Sequence, residues 1–276
     1  MDKNTLVVKS NALIQTSYRL TANEQKIILA CISQVRRDEP ITDQVMYTIS
    51  ASEFSRIYGT NLAPTYRDLK TAALKLKRRE VRITQETNGK GKRKETLITS
   101  WVQSIKYSEG SGEVKLRFNH DILPYLAELN ECFTSYSLSN IVKMSSTYGV
   151  RIYELLMQWI AVGEREVSVD WLKDILLLQD KYKTMCNFKA RVLDPAIKDI
   201  NKNSDIQVTF TQRKTGRKVT HLKFKFSSKE NKTKSKKTEQ KIFGVAKSVI
   251  EKQARRGETY EQAASRLKKI SAKDIA

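Results

Sequence analysis

Residues 184–203 read TMCNFKARVLDPAIKDINKN, and residues 204–226 continue as SDIQVTFTQRKTGRKVTHLKFKF. On a helical wheel at about 100° per residue, the first part places six apolar residues on one side. These six residues are Phe188, Val192, Leu193, Ala196, Ile197 and Ile200. Because mainly charged and amide side chains occupy the other side, the pattern predicts an amphipathic helix with one packed and one exposed face.

The exposed face of this helix carries most of its charged residues. Its predicted members are Asn187, Arg191, Asp194, Lys198 and Lys202. Lys189 falls at about 100° on the wheel, within the apolar side, where a long stem in the first turn can still carry the ammonium outward. Pro195 lacks an N–H, so we expect a kink or a break in the helix there. A surface helix with a solvated charged face is the alternative interpretation of this segment alone.

Two strands around a basic turn follow the helix directly. Apolar and polar residues alternate from Ile206 to Phe210 and again from Leu222 to Phe226, which is typical of half-buried strands. The turn between them reads RKTGRK at residues 213–218. A helix followed at once by a hairpin with a basic tip is typical of the recognition helix and wing of a winged-helix DNA-binding domain.

The first half of the chain predicts the same order of elements. Thr21 and Glu24 form a capping-box pattern before a helix whose apolar stripe continues as far as Val35. A short strand at 45–49 and a short helix capped by Ser50 follow. A basic helix at 64–80 and a hairpin with a basic tip at 88–94 complete the series.

In the second half, residues 146–163 predict a long helix, residues 166–169 predict a strand, and Asp170 is the predicted cap of a short helix. The two series are offset by about 120–125 residues without repeating residue identities. The predicted fold is therefore α+β, with two tandem winged-helix domains and a basic, partly disordered C-terminal tail. The predicted boundaries are 1–130, 131–227 and 228–276. A single α+β domain in which the order recurs by coincidence is the alternative.

The charge balance indicates a polyanionic partner. The chain has 51 basic and 30 acidic residues, a net charge of +21 and a pI near 9.8. Clustered Lys and Arg favour nucleic acids because neutralising phosphates releases counterions. Residues 229–276 hold 8 of these net charges and residues 1–228 hold 13, so the basic character is not confined to the tail. The sequence shows no signal peptide, lipidation motif or long apolar run, so we expect no membrane association.

Motifs of known DNA enzymes and metal sites are missing from the sequence. There is no GxxxxGK[ST] phosphate-binding loop, no HxH metal pair of a nicking enzyme and no HxxR element of a tyrosine recombinase. Cys31, Cys132 and Cys186 form no CxxC pair, and His120 and His221 are the two histidines, which fits a reducing cytosol without structural zinc. We therefore predict a cytoplasmic protein without catalytic residues, cofactor or metal. A DNA-processing enzyme whose site assembles only in three dimensions is the alternative.

The DNA contacts are predicted on the two basic helices and the two hairpin tips. In the major groove, Arg and Lys pair with guanine and Asn pairs with adenine, whereas wing cations contact phosphates. The predicted base contacts are Arg191, Lys189 and Asn187. The predicted backbone contacts are Lys198, Lys202, Arg213, Lys214, Arg217 and Lys218 in the second domain, and Arg67, Thr71, Lys75, Arg78, Lys90, Lys92, Arg93 and Lys94 in the first. For any one of these residues, a solvated surface side chain is the alternative.

Three segments resemble a known family. They are VVKSNALIQTSYRLTANEQKIILACISQV at 7–35, SSTYGVRIYELLMQW at 145–159 and FKARVLDPAIKDIN at 188–201. They are similar to the replication initiators of iteron-containing, theta-replicating bacterial plasmids. The resemblance covers roughly residues 5–227, and FKxRVLxPAxxxIN is its most specific part. It implies two winged-helix domains. The C-terminal one reads part of a short direct repeat, the iteron, and the N-terminal one contacts the remainder and supplies the dimer interface.

The resemblance also implies roles for residues and partners. It assigns Lys189 and Arg191 to base contacts. It implies that monomers bind iterons at a plasmid origin, help to open an adjacent AT-rich region and recruit the host initiator and helicase. It further implies dimers that repress the gene's own promoter at an inverted repeat, and coupling of origins that limits copy number. A dedicated transcriptional repressor of similar build, without origin-opening activity, is the alternative.

Overall fold

The computed structural model describes residues 5–36, 42–59, 62–86, 94–108, 111–127, 133–229, 241–242, 245–246 and 265–266. Residues 1–228 form one compact unit and residues 229–276 another. In the first half the elements are β1 (Leu6–Ser10), α1 (Asn11–Ile14), α2 (Ala22–Ile32), β2 (Tyr47–Ser50), α3 (Ala51–Tyr58), α4 (Leu62–Leu76), β3 (Glu80–Glu86), β4 (Lys94–Ser100), β5 (Val102–Tyr107), β6 (Glu113–Phe118) and α5 (Pro124–Ala127).

The second half repeats the order of long helix, strand, short helix, basic helix and hairpin. Its elements are β7 (Phe133–Ser137), α6 (Thr147–Met157), β8 (Glu164–Ser168), α7 (Val169–Ile175), α8 (Met185–Phe188), a π-helical turn (Lys189–Leu193), α9 (Asp194–Asn203), β9 (Ile206–Thr215) and β10 (Lys218–Ser228). In the 229–276 unit, β11 (Lys241–Ile242) pairs with β12 (Val245–Ala246). The predicted disorder at 230–240 falls outside the described residues.

Local capping signals place the helix starts as the sequence predicts. The Thr21 hydroxyl accepts from the Glu24 N–H, and the Glu24 carboxylate accepts from the Thr21 N–H at 2.8 Å, so the capping box is confirmed. Ser50 caps α3 as predicted. The start of α7 differs by two residues: Ser168 caps it, and Asp170 lies in its first turn. Helix α2 ends at Ile32, short of the predicted extent.

Each half contains a three-stranded antiparallel sheet of the same topology. The order is β2–β6–β5 in the first half and β8–β10–β9 in the second. The first-half counterpart of the β9–β10 hairpin is therefore the β5–β6 pair. The predicted hairpin with its tip at 88–94 does form, but its strands β3 and β4 make a separate two-stranded sheet inserted before β5. Matching it to β9–β10 by order alone was wrong, because order along a chain does not determine which strands pair.

The connection between the two halves contains a short strand that pairs with the first strand of the chain. Residues 133–137 form β7, which pairs antiparallel with β1 from Leu6↔Ser137 to Ser10↔Phe133. The start of the chain is thereby joined to the segment that leads into α6. No described helix is both long enough and apolar enough to cross a membrane.

A buried polar cluster lies where β1 and β7 pack on α6. Glu154 on α6 is fully buried, and its carboxylate accepts from Lys9 Nζ at 2.6 Å and from the Tyr136 hydroxyl at 2.5 Å. Arg151, one helical turn earlier, donates to the Tyr18 hydroxyl at 2.6 Å and to the Thr16 carbonyl at 2.7 Å. Burial of these charges is tolerated because each has a hydrogen-bonded partner. The cluster ties the N-terminal segment to the first helix of the second repeat.

Opposing effects act on the pKa of the Glu154 carboxyl. Burial raises its pKa, whereas the charges of Lys9 and Arg151 and the hydrogen bonds from Lys9 and Tyr136 lower it, and the net shift is downward. Burial also raises the pKa of Tyr136 well above its ordinary value. Glu154 therefore stays ionised and Tyr136 stays protonated at neutral pH, which is the state that their hydrogen bond requires.

Candidate nucleic-acid interface

The predicted DNA-reading helix is continuous from residue 185 to residue 203, although its geometry changes on the way. Thr184 caps it by accepting from the Asn187 N–H at 3.3 Å. Its middle turn, Lys189–Leu193, is π-helical and lies directly before Pro195. Proline lacks an N–H, and its ring collides with the carbonyl four residues earlier in an α-helix. The widened turn accommodates Pro195 without a break in the helix.

The packed face of this helix is the predicted one. Phe188, Val192, Leu193, Ala196, Ile197 and Ile200 are all buried. Lys189 begins on the apolar side of the wheel, but its side chain is 45% exposed and its ammonium lies 2.6 Å from the Asp194 carboxylate. The long stem carries the ammonium outward, as expected for a lysine in the first turn.

Two polar side chains fix the orientation of the helix. Asp199 is 9% exposed, and its carboxylate accepts from the Ser145 and Ser146 N–H groups at 2.9 and 2.7 Å, at the start of α6. Asn201 exchanges two hydrogen bonds with the backbone of Val208 on β9, at 2.9 and 2.7 Å. The end of the FKARVLDPAIKDIN segment thus joins the helix to α6 on one side and to the hairpin on the other. Sequence reasoning missed both residues, although an Asp and an Asn close to the apolar stripe of an amphipathic helix are a usable signal.

The exposed face of the helix presents the predicted reading residues to solvent. Asn187, Arg191, Lys198 and Lys202 are exposed. None of the three cations forms an ion pair with another described residue. The charged groups of these three side chains can therefore bind a new partner directly. Lys189 would first have to break its ion pair with Asp194.

The β9–β10 hairpin extends from the three-stranded sheet with an exposed tip. Gly216 and Arg217 connect the two strands, with Thr215 paired to Lys218. Gly216 has φ of 61°, a value that glycine adopts without a steric penalty. Glycine with positive φ at the first turn position is typical of the type II′ turns that suit twisted hairpins. The basic tip is therefore a defined turn that holds its cations away from the core.

The basic residues of this tip differ in whether they form ion pairs within the protein. Arg213 lies 2.7 Å from the Glu166 carboxylate on β8, whereas Lys218 reaches Asp170 only at 3.9 Å. Lys214 and Arg217 are exposed and have no ion-pair partner among the described residues. Lys214 and Arg217 are thus the tip cations most available to an external anion.

Arg165 is a basic residue on β8 of this sheet that the sequence did not single out. Its guanidinium donates to the Leu155 carbonyl at 2.6 Å and to Gln158 at 2.7 Å, and it stacks 5.1 Å from the Trp171 ring. Burial lowers its pKa to about 10, so it remains charged at neutral pH. Its contacts tie β8 to α6.

In the first half, helix α4 has one packed and one exposed side, as predicted. Its described packing residues Leu69, Ala72, Ala73 and Leu76 are buried. Arg67, Thr71, Lys75 and Arg78 are exposed. Arg79, just beyond the helix, makes two 2.9 Å hydrogen bonds to the buried Glu24 carboxylate and so joins α4 to α2. Lys94 begins β4, whereas Lys90, Lys92 and Arg93 lie outside the described residues.

Among the residues that the structure describes, the geometry offers no metal-binding alternative to this basic surface. Within the part of the chain that the structure describes, no group of three or more His, Cys, Asp and Glu side chains could hold a metal ion. Cys31 is buried and Cys186 is exposed at the start of the 185–203 helix.

Two family models match the chain and cover most of it. Residues 6–157 match the model described as Initiator Replication protein, WH1, and residues 168–226 match Initiator Rep protein, WH2. The prediction of two tandem winged-helix domains is thereby confirmed. The model limits differ from the predicted boundary at 130/131, which stays a prediction.

Individual relatives are similar over much of their length. A replication initiation protein of Escherichia coli is 28% identical over 215 residues, which is 75% of this chain and 66% of that protein. The PI protein of Escherichia coli is 26% identical over 272 residues, which is 88% of this chain and 89% of that protein.

A solved structure shares the fold. The crystal structure of Pi initiator protein in complex with iteron DNA superposes with a TM-score of 0.72 at 25% identity, covering 83% of this chain and all of that chain. With both family models matched and the paired winged-helix architecture in place, the chain belongs to the family of initiator replication proteins.

Proposed function

We propose that the protein is a plasmid replication initiator that binds iteron repeats at an origin in a sequence-specific manner. One observation carries this proposal: the 185–203 helix is fixed from behind by Asp199 and Asn201 and presents Arg191 and Asn187 outward. A helix held in a fixed orientation, with an exposed guanidinium and an exposed side-chain amide, can hydrogen-bond to base edges in the major groove. The relative of similar fold whose structure contains iteron DNA supports the same ligand.

The functions beyond binding follow from family membership and are part of the proposal. The bound protein opens an adjacent AT-rich region and recruits the host initiator and helicase. As a homodimer it binds an inverted repeat at its own promoter and represses it. The first domain contributes DNA contacts through the exposed residues of α4 and supplies the dimer interface. The protein acts in the cytoplasm and carries out no catalytic step of its own.

Origin opening separates an initiator from a dedicated repressor. Purified protein is added to a supercoiled plasmid carrying the cognate origin, and unpaired thymines are mapped with permanganate. We expect reactivity in the AT-rich region only when the protein is present and the repeats are intact. Occupied repeats without any reactive thymines, with host initiator added, would contradict the initiator function and leave a repressor. Strand cleavage or a covalent adduct would instead indicate a DNA-processing enzyme.

Lys214→Ala is expected to reduce the salt dependence of binding. Lys214 is an unpaired, exposed cation of the hairpin tip, and each neutralised phosphate contributes about 0.9 to the slope of log K against log salt on duplex DNA. The slope should therefore fall by about 0.9, equally on specific and random duplexes. Lys214→Arg, which keeps the charge, is the control and should retain the slope. An unchanged slope in Lys214→Ala would show that Lys214 does not contact the backbone.

A further inference from the structure

A lysine–aspartate pair lies on the exposed side of the 185–203 helix. Lys189 Nζ is 2.9 Å from Asp194 Oδ1 and 2.6 Å from Oδ2, with the two side chains 45% and 46% exposed. The ammonium also lies 5.8 Å from the ring of Phe210 on β9. The pair therefore stands beside the hairpin, on the part of the helix that precedes Pro195.

The π-helical turn is what brings these two residues together. In a regular α-helix, residues five apart in sequence project about 140° from each other and cannot pair. A π-helical turn joins residues five apart by its hydrogen bonds, so such residues lie one above the other. The turn at Lys189–Leu193 thus places Lys189 and Asp194 on one face. An ion pair at this spacing is a consequence of the specific distortion before Pro195.

A carboxylate at this position is costly for DNA binding in general. Of the two acidic residues in the helix, Asp199 is buried and bound to backbone N–H groups, so Asp194 is the one that faces outward. An exposed negative charge beside Arg191 and Lys198 opposes the approach of phosphates, and it weakens binding to every DNA sequence. The loss is offset only at a site where the carboxylate meets a hydrogen-bond donor on a base.

The geometry of the pair matches the major-groove edge of a G·C base pair. Guanine presents N7 and O6 as acceptors, and cytosine presents its N4 amino group as a donor. O6 and N4 are hydrogen-bonded to each other, so they lie about 2.9 Å apart. Lys189 and Asp194 offer the complementary donor and acceptor at 2.6–2.9 Å. Lysine on O6 and N7 with aspartate on N4 would satisfy all three base groups.

We infer that Asp194 is a specificity-determining residue that, together with Lys189, reads one G·C base pair within the recognition site. The inference rests on the proposed function, because it requires that the 185–203 helix enters the major groove. Asp194 contributes selectivity by opposing binding to all other sequences and by accepting from the cytosine amino group. Lys189 supplies the matching donor, which accounts for its position in the reading part of the helix.

The test compares Asp194→Ala with Asp170→Ala in full-length protein. Both substitutions remove one exposed carboxylate from the second domain, so they change the net charge equally. A site is first selected from a random duplex library with the wild type, and each position is then replaced by the other three base pairs. At one G·C pair, we expect the wild type and Asp170→Ala to lose affinity roughly 5- to 150-fold on replacement. Asp194→Ala should lose most of this discrimination and keep only the part that Lys189 supplies through guanine O6 and N7. It should also bind random duplexes more tightly than the wild type.

The possible outcomes separate this inference from the function on which it rests. Unchanged preferences at every position in Asp194→Ala would overturn the role of Asp194, and loss of discrimination at an A·T pair would overturn the G·C assignment. If the wild type selects no site at all, the proposed function fails and this inference fails with it. Thermal unfolding of both variants at the wild-type temperature confirms that any difference arises at the interface.

Discussion

Glu154→Gln is expected to lower the free energy of unfolding by about 3–5 kcal/mol, because it removes the partner of a buried charge. Lys9 is 1% exposed, and its ammonium has the Glu154 carboxylate 2.6 Å away. Glutamine keeps the shape of the side chain but not its charge, so the ammonium stays buried without compensation. The Tyr136 hydroxyl also loses a charged acceptor at 2.5 Å.

Denaturant unfolding of the purified variant measures this loss. Glu113→Gln is the matched control, since the Glu113 side chain is 42% exposed and lies 3.9 Å from Lys115, and surface pairs contribute about 0–1 kcal/mol. The double variant Lys9→Met/Glu154→Gln should recover part of the stability, because the unpaired ammonium is then absent. Equal losses in Glu154→Gln and Glu113→Gln would show that the buried cluster does not hold the N-terminal segment to α6.

The Glu154 carboxyl also makes the free energy of unfolding depend on pH. The pKa of Glu154 is lowered in the folded protein, where burial is outweighed by Lys9, Arg151 and two hydrogen bonds. Its contribution is therefore complete above the unfolded value, about 4.3 for glutamate, and is lost as the pH falls through the folded value. Between pH 7 and pH 3, the wild type should lose more stability than Glu154→Gln does. A parallel decline in both proteins would contradict the assigned direction of the shift.

Arg191→Ala is expected to remove about 1–3 kcal/mol of discrimination between a selected site and a random duplex, the worth of one good bidentate base contact. Arg191 is exposed on the 185–203 helix without an ion-pair partner among the described residues, so its guanidinium can pair with guanine O6 and N7. Binding to random duplexes should remain largely intact, since it depends on the phosphate contacts of other cations.

Titrations of the selected and random duplexes at one fixed salt concentration measure both affinities. Lys198→Ala is the matched control, because Lys198 is an exposed cation on the same helix that we assign to phosphates. It should weaken both duplexes by a similar factor. If Arg191→Ala instead weakens both duplexes equally, Arg191 contacts the backbone and the base-reading assignment is wrong.

Features with a local cause were predictable from the sequence. The capping box at Thr21 and Glu24 depends on residues three apart. The buried face from Phe188 to Ile200 follows from helical periodicity, and the strands around Gly216 follow from alternation. The same locality made the exposure of Asn187, Arg191, Lys198 and Lys202 predictable, because the exposed side of a helix follows from its packed side. Two winged-helix domains could therefore be inferred from order and pattern.

Features with a long-range cause were not predictable from the sequence. The pairing of β1 with β7 joins residues more than a hundred positions apart, and its short FTSYS strand alternates only weakly. The Lys9–Glu154 contact depends on that pairing, so it was missed as well. The pairing of Lys189 with Asp194 was not predictable for a different reason, because a π-helical turn before Pro195 changes the angle between successive residues.

The central claim is that this chain reads a specific duplex sequence through the 185–203 helix. The most direct test is selection of bound fragments from a random duplex library, with the wild type and Arg191→Ala in parallel. The wild type should enrich a single short recognition unit, and Arg191→Ala should lose the enrichment at one or more of its base pairs while still binding DNA. Failure of the wild type to enrich any unit, or an identical unit from both proteins, would contradict the account.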